Sequence, residues 1–444
     1  MIDIQKFKAV HFIGIGGIGV SALARMMLLS GKRVSGSDRS AGKVTDELIK
    51  LGVAVRFGHA GENIPHNADC VVYTNALAQN NPELRAAYAR NIPVLSYPEM
   101  LGIVSQGKYT IAVSGTHGKT TTTAMIAGIL RDGGLDPTVV VGSLLKAENS
   151  NFIGGKSDYF VVEADEYKKS FLHLHPNILV INNIDEDHLD FYKNLGDIQA
   201  TFRELAERVP KDGYVICNAW DKHVSPVVQS LPASVVDYTQ YRQDGTRLKV
   251  AGEHNRMNAS AAYAVGKILD IADVVLKKSL AEFEGTWRRF EYKGTMENGA
   301  VVYDDYAHNP QKVRAALQGA REIFPEKRIT VVFQPHLYSR TKLLLEGFTG
   351  AFKDADTVII TPIYAAREDP DPEISGEIVA DAIANVRGET MYMGGFEEVI
   401  SYLENNIGET DIVITMGAGD IFKVGDAPLK RKKSHAIGMG PVEA

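Results

Sequence analysis

The run YTIAVSGTHGKTTTTAMIAGIL, residues 109–130, constrains the fold more than any other part of the chain. An apolar, β-branched strand passes through a glycine turn straight into a long helix. A strand of that kind buries both faces only between parallel neighbours with helices above and below, which commits the chain to an α/β architecture. In the turn, Ser114 to Thr120, successive backbone N–H groups and the helix N-terminus form an anion cradle. Lys119 reaches the β- and γ-phosphates of a nucleotide, and the Thr120 hydroxyl sits on Mg²⁺. Gly115 and Gly118 have two residues between them, where the strict phosphate-loop pattern has four. A turn that merely starts a helix would not need the Lys-Thr pair that follows. The expected ATP contacts here are Gly115, Thr116, His117, Gly118, Lys119, Thr120 and Thr121, with ATP and Mg²⁺ as cofactors.

Short apolar runs alternate with amphipathic stretches almost throughout, the signature of βαβ units. At roughly 100–200 residues per domain, 444 residues make about three domains. The expected blocks are 1–107, 108–294 and 295–444. The first opens with the strand KAVHFIGIG and a helix over about 18–30, with further strands at Val53–Arg56, Asp69–Thr74 and Pro93–Ser96. The stretch GTWRRFEYKGTMENG turns polar and glycine-containing and reads as a linker. The last residues, LKRKKSHAIGMGPVEA, mix a basic run with small residues and read as a solvated tail.

A second glycine loop precedes the first by about 100 residues. Gly14-Ile15-Gly16-Gly17-Ile18-Gly19 matches GxGxxG between strand and helix, and Asp38 follows at the next strand end. Taken alone it is a dinucleotide fingerprint with Asp38 on a ribose hydroxyl, which makes an NAD-dependent dehydrogenase the competing reading. A hydride-transfer enzyme has no use for a second loop carrying Lys and Thr, however. The same backbone donors serve any diphosphate, including that of a nucleotide-sugar.

Composition removes other classes. A net charge of −7 argues against a nucleic-acid binder. No apolar run approaches the ~18–20 residues that span a bilayer, and the start MIDIQKFKAV lacks a signal peptide's apolar stretch. Cys70 and Cys217 both lie in apolar strand-like runs, so reduced core thiols are expected. A soluble cytoplasmic protein, monomer or homodimer, with no nucleic-acid or membrane partner, is the expectation.

Taken in order, the segments HFIGIGGIGVSALA, GTHGKTTTT, EADE, NNIDEDHLD, GEHNRMNASAA, RRFE, YDDYAHNP and FQPHLYSRT resemble the Mur ligases of peptidoglycan synthesis. The resemblance runs over about residues 10–420. It implies three domains: an N-terminal Rossmann-like domain for a UDP-sugar, a central P-loop ATPase-like domain, and a C-terminal Rossmann-like domain for the incoming amino acid. The implied substrates are UDP-N-acetylmuramate and L-alanine; a ligase attaching a ready-made tripeptide, or a relative with another acceptor, is the alternative. The UDP-sugar would meet Gly14, Gly16, Gly17, Ile18, Gly19 and Asp38. Glu163 and His188 would join Thr120 as Mg²⁺ ligands. Asn255 would face adenine, with Asn258 nearby, while Arg289 contacts the nucleotide and Asp305 its ribose. His308 and Arg340 would grip the amino acid, and His117 would lie near the reacting carboxylate. Lys119, His117, His188, His308 and Arg340 are thus the expected catalytic set. Leu337 and Asn309 stand where the family usually has Arg and a second His, and Lys342 and Arg367 are the nearby cations that could compensate.

Overall fold

The computed structural model describes residues 4–429 apart from 79, 146, 147, 149, 190, 244, 247, 251 and 367. The tail from residue 430 onward and Arg367 lie outside the described residues. The architecture is three-domain α/β, with one sheet per domain. Two compact units contain them, Met1–Lys249 with Arg256–Thr286, and Val250–Asn255 with Trp287–Ala444. The first unit carries two sheets and the second carries one.

The first sheet has five parallel strands in the order Ala54–Phe57, Arg33–Asp38, Ala9–Ile13, Cys70–Tyr73, Val94–Ser96. The central strand AVHFI is buried along its whole length, as a parallel strand covered on both faces must be. The helix Ile18–Leu29 covers one face through Val20, Leu23, Ala24 and Met27, a 3.6-residue stripe. Full burial of a side chain such as Phe12 or Leu23 contributes about 1.5–3 kcal/mol. Chain order reverses on either side of Ala9–Ile13, so the crevice at its carboxyl end receives the glycine loop.

The second sheet has seven strands, ordered Ser234–Asp237, Tyr214–Cys217, Ile178–Ile181, Tyr109–Ser114, Tyr159–Glu163, Thr138–Leu145, Ser150–Ile153. All neighbours are parallel except the last pair. Its order reverses at Tyr109–Ser114, directly below the Lys119 turn. Both sheets of this unit meet at the first glycine loop: the buried Asn151 amide donates to the Ile18 carbonyl and, at 3.1 Å, to the Ser21 hydroxyl.

In the second unit, six strands run Glu291–Thr295, Val301–Asp305, Asp411–Met416, Arg328–Phe333, Thr357–Ile360, Thr390–Tyr392. The first pair is antiparallel. The segment read as a linker therefore supplies an edge strand. Its polar residues concealed it, because an edge strand has one neighbour and tolerates solvent-facing side chains. Both cysteines are free and buried, as expected, and burial pushes each thiol up to about 12.

Candidate active site

The strand Tyr109–Ser114 delivers the phosphate turn, and the helix Lys119–Asp132 leaves it. Gly115 and Gly118 adopt φ of +134° and +81°. A Cβ on Gly118 would come within 2.3 Å of the Asn258 Oδ1, so only glycine fits there. Two of the backbone donors expected in the anion cradle are already committed. Thr116 N–H bonds the Asn183 carbonyl at 3.2 Å, and His117 N–H bonds the Asn183 Oδ1 at 2.8 Å. Asn182 donates to the His117 carbonyl and the Thr122 hydroxyl. The cradle is thereby narrower than the sequence suggested and centres on the first N–H groups of the helix, beginning at Gly118 and Lys119, which have no intrahelical acceptor.

Lys119 Nζ donates to the Gly115 carbonyl at 2.6 Å and to both Glu166 oxygens at 2.9 and 2.8 Å. Burial alone would lower its pKa, but the carboxylates of Glu166, Asp165 and Glu163 outweigh burial and hold it above the usual value. Thr120 Oγ1 donates to Glu163 Oε1 at 3.0 Å, and Glu163 Oε2 accepts Gly142 N–H at 2.7 Å. These hard oxygen donors suit Mg²⁺. His188 belongs to a neighbouring cluster. Its Nε2 lies 3.8 Å from Glu166 Oε1, and together with Asp165 the three could hold one cation. The segment is bent to make this possible, since His188 has φ +56°. Desolvation and the adjacent Glu166 charge push Asp165 up to about 6. Sequence reasoning singled out Glu163 in EADE and His188 in NNIDEDH but passed over Asp165, Glu166, Asn182 and Asn183 in the same two motifs.

At the first glycine loop, Gly14 and Ile15 N–H both bond the Ser37 carbonyl. Asp38 accepts Gly16 N–H at 2.7 Å and Arg39 N–H at 2.8 Å. Asp38, assigned to a ribose hydroxyl on the dinucleotide reading, fixes the loop by accepting the Gly16 N–H. Gly17 caps the helix, with Ile18 and Gly19 forming its first turn. Beneath the loop lies a buried polar chain that the sequence did not reveal. Glu83 accepts from Ser37 Oγ at 2.7 Å and pairs with His11 Nε2 and His59 Nδ1, both at 2.8 Å. Those three bonded partners outweigh burial and hold the Glu83 carboxyl below its usual value.

In the second unit, Asp305 ends the strand Val301–Asp305 and accepts Phe290 and Ala307 N–H, both at 2.7 Å. Burial raises its pKa against the opposing charge of Arg289. The two arginines of RRFE differ. Arg288 is buried, bonded to Asp304 and to the Gly417 and Gly419 carbonyls. Arg289 is half-buried, its guanidinium 5.6 Å over the Tyr306 ring. His308 bonds the Tyr306 carbonyl through Nδ1, and its ring lies 6.3 Å from that of His336. Arg340 Nη1 stands 3.5 Å from His336 Nδ1, so these three side chains form one half-buried group. His336 was not singled out in the sequence. Asn255 is buried near the start of the helix Glu253–Ile268.

The departures from the family pattern have local causes. Asn309 caps the helix Pro310–Ile323, its side chain accepting Lys312 N–H at 2.9 Å. Leu337 is 5% exposed with φ +69°, so it packs and leaves no vacant cation position. Lys342 is engaged by Asp371 and Glu373 on the surface.

Three family models match the chain: "Mur ligase family, catalytic domain" over 9–109, "Mur ligase middle domain" over 113–246, and "Mur ligase, glutamate ligase domain" over 288–419. The chain is 41% identical to the UDP-N-acetylmuramate–L-alanine ligase of Clostridium tetani, covering 96% of this chain and 99% of the relative. It is 42% identical to that of Acetivibrio thermocellus, covering 98% and 99%. The crystal structure of the UDP-N-acetylmuramate-alanine ligase from Thermotoga maritima superposes with TM-score 0.80 at 30% identity, over 97% of this chain and 100% of that one. A murein peptide ligase from Psychrobacter arcticus shares the fold, with TM-score 0.69 at 24% identity over 95% and 98%.

Proposed function

We propose, because this chain belongs to the Mur ligase family, that it joins L-alanine to the lactyl carboxylate of UDP-N-acetylmuramate while ATP is converted to ADP and phosphate. The observation that carries the reading is the end-to-end match to relatives of that name at 41% identity. It also favours the diphosphate of a nucleotide-sugar over a nicotinamide cofactor as the ligand of the GIGGIG loop.

In this reading the lactyl carboxylate attacks the γ-phosphate, and the acyl phosphate is then captured by the amine. Lys119 exchanges its Glu166 contact for phosphate oxygens and spreads the charge that develops on the transferring group. Thr120 and Glu163 would hold one Mg²⁺, and His188, with Asp165 and Glu166, a second cation. When bound, such ions neutralise and orient the phosphates. The Gly115–Thr121 turn carries the phosphates, with His117 beside the reacting carboxylate. Asn255, Arg289 and Asp305 take the roles of adenine, nucleotide and ribose contacts; Asn258 is the second candidate for adenine. His308 and Arg340 grip L-alanine, since the fork of an arginine can pair both oxygens of a carboxylate. The loop of Gly14, Gly16, Gly17, Ile18 and Gly19, fixed by Asp38, takes the diphosphate. A substrate set of ATP and a nucleotide-sugar fits a cytoplasmic enzyme.

The test is ADP release with UDP-N-acetylmuramate against a panel of amino acids and short peptides. Turnover with L-alanine well above every other acceptor is expected. Preference for a tripeptide would transfer the chain to the peptide-attaching branch of the family.

A further inference from the structure

Tyr97 begins the helix Tyr97–Ser105, immediately after its Ser96 cap. Its ring lies directly against the first glycine loop. A Cβ built on Gly19 would stand 2.6 Å from the ring Cζ and 2.8 Å from the hydroxyl oxygen. The same loop is tied to the second sheet through Asn151, and the helix Ile18–Leu29 packs on the strand Thr138–Leu145. That strand presents Gly142 N–H to Glu163, whose other oxygen takes the Thr120 hydroxyl. The phenol, the glycine loop and the Thr120–Glu163 pair thus share one region of the first unit. Burial, with the Glu163 and Asp165 charges adding to it, keeps the phenol's proton on. Tyr97 is half-buried, and its hydroxyl makes no hydrogen bond among the described residues. A protonated phenol laid against the glycine loop is a hydrogen-bond donor available to a ligand.

The diphosphate has its own donors in the loop N–H groups and the helix N-terminus. The phenol stands on the side of the loop from which the Glu163 and Asp165 charges reach it. On the functional reading above, which this inference deepens, the reacting carboxylate must pass along that side. We infer that the Tyr97 hydroxyl binds UDP-N-acetylmuramate by donating a hydrogen bond to its lactyl carboxylate, orienting it toward the γ-phosphate. A neutral donor suits this position. An arginine would pair with both oxygens and withdraw charge from the nucleophile, whereas one phenolic hydrogen bond fixes direction and leaves the second oxygen to attack.

Tyr97→Phe keeps the ring against Gly19 and removes only the donor. Calorimetry on the full chain, wild type and Tyr97→Phe, would use UDP-N-acetylmuramate and UDP-N-acetylglucosamine, which lacks the lactyl group. Affinity for the first should fall roughly tenfold or more, the scale of a hydrogen bond to a charged group, while affinity for the second is unchanged. In turnover, KM for UDP-N-acetylmuramate should rise with KM for ATP unaltered. Equal affinity of both proteins for UDP-N-acetylmuramate, or equal losses on the two sugars, would overturn the inference, the latter by moving the hydroxyl to the diphosphate. A wild type that binds neither sugar would overturn the functional reading and this inference with it.

Discussion

Lys119 and Glu166 are 14% and 3% exposed, and each neutralises the other's buried charge. Lys119→Ala therefore has two separable effects. Ligation should be abolished, because the lysine's charge is needed mainly as the phosphoryl group transfers. The fold should also lose about 1–3 kcal/mol, because the Glu166 carboxylate is left buried without its cation. Adding Glu166→Gln should restore most of the melting temperature and none of the ADP release; recovery of both would remove Lys119 from the reaction. Glu83 gives a pH signature at the same scale. Its folded pKa lies below the ordinary carboxyl value of 4.5, so between the two the unfolded chain binds more protons and stability rises with pH. Its contribution is full above that ordinary value and disappears as pH falls through the lowered one. Glu83→Gln should flatten unfolding free energy against pH across that acid window, measured by denaturant titration. A wild-type profile no steeper than the variant's would show that Glu83 titrates alike in both states.

At the scale of elements, strand ends and helix starts supply most candidate site residues in the first unit, while His188 lies in the loop after the strand Ile178–Ile181. Asn309 shows how far such local chemistry goes. It departs from the motif of the resembling family, and its side chain satisfies one of the orphaned donors of the helix Pro310–Ile323, the Lys312 N–H. Asn309→Ala should cost about 1 kcal/mol of stability, with KM for L-alanine moving little; a large rise in that KM with no change in stability would return Asn309 to the acceptor site. The edge strand Glu291–Thr295 makes the converse point, since its sequence carries no strand pattern and the pairing with Val301–Asp305 alone defines it.

For the whole molecule, ligands of the native state add stability in proportion to the logarithm of their concentration. UDP-N-acetylmuramate at about one hundred times its dissociation constant should stabilise the protein by ~2.7 kcal/mol. NAD at the same concentration should leave the melting temperature where it was. Stabilisation by NAD and not by the nucleotide-sugar would restore the dehydrogenase reading. Among the described residues no helix is long and apolar enough to cross a membrane.

The sequence by itself determined the α/β class and the two glycine loops and picked out Lys119 and Thr120 as candidates, because these follow from periodicities and spacings within about twenty residues; Glu163 became a candidate only through the resemblance of the assembled motifs. Tertiary structure alone decided which partner each charge would have. Glu166 reaches Lys119 across 47 residues, Glu83 reaches His11 across 72, and Asn151 reaches the Ile18 carbonyl across 133. Such pairings depend on the order in which strands enter a sheet, and no local pattern encodes that order. The same holds for Tyr97, an ordinary aromatic at a helix start until the fold lays it over Gly19 and within range of the Glu163 and Asp165 charges.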